Sequence, residues 1–218
     1  MSSSKFRKRR QRKNKSNSKK IILLVALLAV AVTIIVAYNM LSNNISNEEE
    51  VIPEVTQMKA LLETTKGDIV IQLRDDRPIT TENFKNLVQQ GVYDGTIFHR
   101  VMSEFMIQGG DPNGNGISDD GIPTILDEGL LSDNNRNNRA TIAMANSGAN
   151  TGSSQFFINL VDNNYLDKPN PEMGISGHPV FGTIIEGMDV VDKIGKVATN
   201  SEDKPLEDVI LIRAILIN

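Results

Sequence analysis

The segment Phe98–Asp111 reads FHRVMSEFMIQGGD and places one arginine and one glutamine among phenylalanine and methionine residues. Successive side chains of a β-strand point to opposite faces of a sheet. The alternation therefore predicts two short strands, with Arg100 between Phe98 and Met102 on one face of the first. An arginine on an apolar face needs a polar partner, and we expect Gln108 on the second strand to orient the Arg100 guanidinium.

Strand-like runs flank this segment on both sides. Upstream, residues 60–64 and 69–73 surround the turn Lys66-Gly67-Asp68, which predicts a β-hairpin. Residues 94–160 contain further short apolar runs broken by Gly, Asn and Asp, and residues 209–217 form a strong final strand candidate. The chain is therefore expected to be mainly β.

Two segments have helical patterns. The first, residues 78–90, begins with a proline and repeats its apolar side chains on one face, and Thr80 or Thr81 is expected to cap it. The second, residues 188–194, is followed by a glycine. Many short strands with two helices predict an antiparallel β-barrel or sandwich. Side chains fill the interior of a barrel of about eight strands, so an active site would lie on an outer face.

Three further motifs follow the first segment along the chain: MAN at 144–146, SQFFI at 154–158 and HPVFG at 178–182. Together with the first segment, and in this order, they resemble the cyclophilin family across residues 58–217. The resemblance implies a closed eight-stranded antiparallel β-barrel capped by two helices. It also implies peptidyl-prolyl cis-trans isomerase activity on proline-containing polypeptides, without any cofactor.

The same resemblance implies roles for individual residues. Arg100 matches the family's catalytic arginine, and Gln108 matches its orienting neighbour. The residues that match the proline pocket are Phe105, Met106, Phe157, Leu166 and His178. Those that match the peptide-binding rim are Ala145, Asn146, Ser147 and Gln155. Tyr165 stands at the rim where many members have Trp, so we expect weaker binding of cyclosporin-type cyclic peptides.

The chemistry of isomerisation explains why an arginine is needed. The X-Pro amide resists rotation with a barrier of about 18–20 kcal/mol, because its nitrogen lone pair is delocalised into the carbonyl. In the twisted transition state the lone pair returns to nitrogen, and the Arg100 guanidinium can donate a hydrogen bond to it. That bond is stronger in the twisted state than in the planar one, which is what catalysis requires. Arginine keeps its proton at working pH, so it acts as an electrostatic donor.

Charge divides the chain into a basic arm and an acidic remainder. Residues 1–20 contain ten of the 23 Lys and Arg residues, which leaves 13 basic and 27 acidic residues, a formal charge of −14, in the remaining chain. An acidic domain argues against nucleic acid as a partner, because phosphate contact needs a basic face. The chain has no Cys, which excludes disulfides and thiolate metal sites.

The amino-terminal region predicts a membrane anchor. Residues 21–41 read IILLVALLAVAVTIIVAYNML, and a helix of 21 residues spans about 31 Å, the thickness of a bilayer core. The basic arm (1–20) places the amino terminus in the cytoplasm. We therefore expect a single-pass signal anchor (21–41) in the cell membrane, an acidic tether (42–57) and an extracytoplasmic isomerase domain (58–218). The alternative is a cleaved signal peptide, whose apolar region is usually only about 7–15 residues long.

Other patterns have plainer interpretations. Asp111–Gly116 imitates the start of a calcium-binding loop, but its twelfth position is Ile122 rather than Glu. His99 and His178 share no carboxylate pattern, so no metal site is expected. The run Asn134–Asn138 is interpreted as a plain turn.

Two alternative functions compete with the isomerase. Ser147, Ser153 and Ser154 invite a hydrolase interpretation, but the chain has no G-x-S-x-G motif. A membrane-tethered scaffold that binds proline peptides without useful turnover is the stronger alternative. The presence of Arg100 and Gln108 favours the active isomerase. The oligomeric state stays open.

Overall fold

The computed structural model describes residues 26–40, 57–117, 121–174 and 176–218. The chain divides into two units, Met1–Val55 and Thr56–Asn218. In the first unit, residues 26–40 form a helix, α1, with exposed side chains. Within the described ranges, the structure contains no helix that is both long enough and apolar enough to cross a membrane. The ends of the predicted anchor, the basic arm and most of the tether lie outside those ranges.

The second unit begins with a β-hairpin. Strands β1 (Lys59–Thr64) and β2 (Gly67–Leu73) pair antiparallel, from Lys59 opposite Gln72 to Thr64 opposite Gly67. Alternate side chains of both strands are buried, as the sequence pattern predicted. Gly67 has a φ of 127°, a conformation that other residues rarely adopt, which explains the glycine in the turn. The hairpin prediction is confirmed.

Helix α2 (Pro78–Gln89) follows the hairpin and begins differently from the prediction. Its N-cap position is Arg77, whose side chain makes no capping hydrogen bond. The Thr80 amide instead donates to Glu128 Oε1 at 2.5 Å, and the Thr81 hydroxyl donates to a backbone carbonyl upstream of the helix. The threonines are buried parts of the helix rather than its caps, because Pro78 already occupies the first turn.

The remaining strands complete one antiparallel sheet, and a second helix follows β7. Their bounds are β3 (Arg100–Met102), β4 (Met106–Gly109), β5 (Thr141–Met144), β6 (Phe156–Asn159), β7 (Val180–Glu186), helix α3 (Met188–Ile194) and β8 (Leu211–Ile217). The strand order is β3-β4-β6-β5-β7-β2-β1-β8, and each adjacent pair is antiparallel. Both predicted helices and the predicted final strand are present.

The sheet curves into a half-barrel rather than the fully closed barrel that was expected. Regular pairing ends at β3 on one side and at β8 on the other. Between these edges, Ile97 forms an isolated bridge with Ile210. The Phe98 amide donates to Val209 O at 2.9 Å, and the Leu211 amide donates to the carbonyl of Thr96 at 2.8 Å. The backbone before β3 is irregular, so the seam consists of local contacts and not of a continuous ladder.

The main core lies on the inner face of the sheet, beneath α2 and α3. Aromatic rings fill its centre, and Phe84 lies 5.2 Å from Tyr93 and 5.1 Å from Phe181 between ring centroids. Phe98 also belongs to this core and is 1% exposed. The expectation that Phe98 shares a face with Arg100 is therefore wrong, since strand geometry begins only at Arg100 and alternation does not extend back to Phe98.

Candidate active site

Arg100 is the first residue of β3 and its side chain is half-exposed. Its Nη2 lies 3.0 Å from the sulfur of Met102, the next residue on the same face of the strand. Its Nε lies 3.8 Å from Oδ2 of Asp203, a distance typical of an ion pair but too long for a direct hydrogen bond. The guanidinium is thus held on two sides and remains open to a ligand.

Gln108 lies directly opposite Arg100 in the β3–β4 pairing. Its side-chain amide, however, donates to Gln155 Oε1 at 2.9 Å. Among the described residues, Gln108 therefore pairs with Gln155, the residue directly before β6, and not with Arg100 as expected. The sequence could not reveal this, because the pairing of β4 with β6 brings the two glutamines together.

An apolar cluster, which we interpret as the proline pocket expected from the sequence and call the apolar pocket, lies beside Arg100 on the face of the sheet opposite the main core. The buried residues that form its floor are Met106, Ala143, Phe157, Leu166 and Val180, and the half-buried residues packed against them are Met102, Phe105 and Ala145. Phe157 points into this pocket, whereas the preceding residue, Phe156, points into the main core. Successive side chains of a strand point to opposite faces, so these two neighbours belong to different clusters.

His178 forms one wall of the pocket and is fixed by its neighbours. Its ring packs edge-on against Phe157, with centroids 5.2 Å apart, and its Nδ1 lies 3.0 Å from the carbonyl of Met144. A carbonyl can only accept, so Nδ1 carries the proton and Nε2 is left as an acceptor. Burial lowers the pKa of His178, although the Met144 hydrogen bond and the charge of Asp127 oppose this. The ring is therefore neutral near pH 7.

A polar pocket of about 50 Å³ adjoins the apolar one. Its lining residues are Gln108, Gly116, Ala145, Asn146, Ser147, Thr151, Ser153 and Gln155. The backbone amide of Ala145 donates to Gln155 O at 2.9 Å, and Asn146 Nδ2 donates to the carbonyl of Gly177 at 2.7 Å. All four predicted rim residues therefore line this polar pocket, which forms a groove beside the apolar one. The pocket volume suits a small side chain or a water molecule.

Tyr165 lies beside the apolar pocket, within the 3-10 helix Asn164–Leu166. Its ring stacks on Phe105 with centroids 6.2 Å apart, and its side chain is half-exposed. Partial burial raises the pKa of the Tyr165 phenol, and the positive charge of Arg100 opposes that rise. The two aromatic rings thus form an exposed edge on the Arg100 side of the pocket.

Comparison with known proteins agrees with this geometry. Residues 59–215 match the family model described as cyclophilin type peptidyl-prolyl cis-trans isomerase/CLD. The chain belongs to the cyclophilin family. A peptidyl-prolyl cis-trans isomerase of Schizosaccharomyces pombe is 39% identical over 156 residues, which cover 71% of this chain and 96% of that protein. The human peptidyl-prolyl cis-trans isomerase-like 1 is 39% identical over 155 residues, covering 70% of this chain and 89% of the human protein.

Solved structures support the same assignment. A cyclophilin type peptidyl-prolyl cis-trans isomerase of Cryptosporidium parvum superposes with a TM-score of 0.65 at 26% identity, covering 74% of this chain and 98% of that structure. A second crystal structure of the Cryptosporidium protein, in the presence of the dipeptide Ala-Pro, superposes with a TM-score of 0.64 and covers 73% and 99%. This cyclophilin is therefore a peptidyl-prolyl cis-trans isomerase.

The cyclophilin site depends on a buried network that the sequence analysis missed. Its members are Asn135, Asn137, Asn159, Asn163 and Asp167, each at most 3% exposed. The Asp167 carboxylate accepts from the backbone amide of Asn137 at 2.6 Å, and Asn135 Nδ2 donates to the carbonyls of Asp167 and His178. Asn135 and Asn137 therefore form a buried scaffold, so the run Asn134–Asn138 is more than a plain turn. An unusual density of asparagines was the available signal.

His99 and Asp111 of this cyclophilin are both buried. The Asp111 carboxylate is buried and accepts from the amides of Asn113, Asn115 and Gly116, so it is already used by its own loop. This finding fits the interpretation of the loop as structural rather than calcium-binding. His99 is buried beside Gly116, and neither of its ring nitrogens has a hydrogen-bond partner within the described ranges.

Proposed function

We propose that this cyclophilin catalyses rotation about X-Pro bonds of polypeptides through Arg100, and that it assists protein folding at the extracytoplasmic face of a membrane. The observation that supports the chemistry most directly is the position of a half-exposed guanidinium beside an apolar pocket walled by Phe157 and His178. The Cryptosporidium relative, whose structure was determined in the presence of Ala-Pro, is consistent with a proline-containing ligand.

The pocket's contribution is to hold the proline ring while the preceding carbonyl rotates. Phe157, Met106 and Leu166 are almost fully buried and fixed by packing, so the floor does not need to rearrange when a ring enters. Glutamine and asparagine side chains along the adjoining groove would bind the peptide backbone on one side of the proline. Because the proline ring is fixed and the preceding carbonyl is free to move, rotation is confined to the X-Pro bond.

Arg100 would supply the electrostatic part of catalysis. An acceleration of about four decades corresponds to about 5.4 kcal/mol of transition-state stabilisation. A charged hydrogen bond to the pyramidal proline nitrogen supplies about half of that in a site sheltered from water. Restriction of the ring supplies the remainder. The guanidinium stays charged throughout, so no proton transfer is required.

Replacement of Arg100 with Ala tests the catalytic role. We expect kcat to fall at least about 100-fold with little change in KM, because the lost hydrogen bond belongs to the transition state. The measurement is a protease-coupled isomerisation assay with the full-length chain in detergent. Arg100→Lys, which keeps the charge but loses the planar donor geometry, serves as the matched comparison. Equal losses in peptide binding and in kcat would contradict the role.

A folded wild-type chain that binds proline peptides without turnover would instead favour the tethered scaffold.

The membrane location rests on the sequence of residues 21–41 and on the basic arm before it. Fractionation of cells that express the chain with an amino-terminal epitope tests it. The tag should stay with the membrane fraction, and protease added from outside should digest the isomerase domain but not the tag. A mature chain that starts near residue 40 would contradict the anchor and support a cleaved signal peptide.

A further inference from the structure

We propose that Asp203 is a positioning residue that orients the Arg100 guanidinium for isomerisation. The inference rests on the catalytic role of Arg100 proposed above. Asp203 belongs to the turn Asn200–Lys204, which lies between α3 and β8 and comes from a part of the chain that contributes no other residue to the site. Three separate features of the structure converge on this carboxylate.

The first feature is the direction in which the guanidinium is held. Asp203 Oδ2 faces the Nε side of Arg100 at 3.8 Å, and Met102 Sδ lies 3.0 Å from Nη2. Met102 packs against the apolar pocket. The carboxylate therefore constrains the Nε side of the Arg100 guanidinium. The terminal Nη2 group is directed towards Met102, at the side of the apolar pocket where a proline ring would bind.

The second feature is a main-chain contact made by the same residue. The Val101 amide donates to Asp203 O at 2.8 Å. Strand β3 is only three residues long and lies at the edge of the regular sheet, with β4 as its only partner there. Asp203 thus fixes the backbone next to Arg100 as well as its side chain.

The third feature is the conformation of the turn itself. Asp203 has a φ of 62°, in the left-handed region that aspartate and asparagine adopt more readily than other residues with a side chain. The side chain of Asn200 holds this turn by accepting from the amides of Glu202 and Lys204 at 2.9 and 3.0 Å. Glycine would adopt this conformation without strain, but it would remove the carboxylate. The turn therefore holds the Asp203 backbone in one defined conformation, which fixes the position from which its carboxylate faces Arg100.

The ion pair is suited to orientation rather than to stability. The side chains of Arg100 and Asp203 are 43% and 40% exposed, so salt screens their attraction and it adds little to folding. Orientation is different, because catalysis depends on the direction of a single donor. Without the carboxylate, the long arginine side chain would divide its time among several rotamers.

Replacement of Asp203 with Asn tests the inference in the full-length chain. Asparagine tolerates the left-handed conformation and keeps the size of the side chain, so the turn should persist. We expect kcat for isomerisation to fall about fivefold at low ionic strength, with KM unchanged. The loss should shrink as sodium chloride is added, because the wild-type ion pair is then screened. Glu202→Gln, which removes the neighbouring exposed charge, should retain wild-type kcat.

A double-mutant cycle separates positioning from a general structural effect. In a chain that already carries Arg100→Ala, Asp203→Asn should cause no further loss of kcat. The same fractional loss in both backgrounds, or unchanged kcat in the single Asp203 variant, would overturn the inference while leaving the isomerase intact. A wild-type chain without turnover would overturn both this inference and the proposed function.

Discussion

At the scale of single residues, Arg100 and its neighbour His99 differ sharply in solvent exposure. Arg100 is half-exposed, whereas the adjacent His99 is buried and has unbonded ring nitrogens within the described ranges. Burial lowers the pKa of His99; the charge of Asp111 opposes this, and those of Arg100 and Lys204 reinforce it. A neutral imidazole therefore supports the backbone from which the charged guanidinium extends.

The lowered pKa of His99 predicts acid-sensitive stability. Below pH 6.5, its ordinary pKa, the unfolded chain binds a proton that the folded ring resists, so the free energy of unfolding falls as pH drops. Between pH 7 and pH 5 this group can remove at most about 2 kcal/mol. Urea unfolding of His99→Gln should show a smaller loss than the wild type over that range. Identical pH profiles for the two proteins would contradict the prediction. The remaining acid sensitivity is expected from His178, whose pKa is also lowered.

At the scale of elements, the 3-10 helix that carries Tyr165 and Leu166 depends on the buried asparagine network. The His178 amide donates to Leu166 O at 3.0 Å, and the next residue after Leu166 is Asp167, at the centre of the network. Two walls of the pocket are therefore joined to each other and to one buried carboxylate. Amide side chains satisfy several donors and acceptors without carrying a charge into the interior.

Asp167→Ala should weaken both the fold and the pocket. The Asn137 amide would be left buried without its acceptor, at a cost of about 1–3 kcal/mol in the free energy of unfolding. KM for a proline peptide should rise, because Leu166 and His178 lose their shared support. Chemical denaturation and isomerisation kinetics measure the two effects. Asp162→Ala is the matched control: Asp162 also accepts from a backbone amide but is exposed, so its loss should cost less than about 1 kcal/mol. Equal costs would show that burial of the network is unimportant.

The sequence predicted the elements better than their contacts. Local periodicity was sufficient for the hairpin and for both helices, because each of these depends on neighbours along the chain. The partner of Gln108, the acceptor for the Thr80 amide and the carboxylate beside Arg100 all come from distant segments. Such contacts are determined by strand order and loop paths, which no short window of sequence contains.

At the scale of the whole molecule, the seam of the half-barrel lacks the continuous backbone pairing that joins the other strands. The seam between the segment before β3 and the start of β8 consists of an isolated bridge and a few backbone hydrogen bonds. Elsewhere the sheet is a continuous ladder of eight strands, with local register shifts in three of its seven pairings. Opening of the seam would release Arg100 from Asp203, since the two residues lie on its opposite sides.

Native-state hydrogen exchange should detect this difference. We expect the amides of Phe98 and Leu211, which bond across the seam, to exchange through an opening of lower free energy than the amides within β5 and β6. The measurement is exchange at several low concentrations of denaturant, followed by NMR. If seam and central amides exchanged only through global unfolding, the seam would be as strong as the rest of the sheet.

The opposite directions of Phe156 and Phe157 determine which positions of the sheet can accept new residues without loss of the fold. The thickness of one peptide backbone separates the residues that keep the chain folded from those that we propose to contact the substrate. A library restricted to the outward positions of β4, β5 and β6 can therefore explore new client preferences without disturbing the interior. A shift of β6 by a single residue would exchange the two roles at once, so errors of register would cost this protein its activity and its fold together.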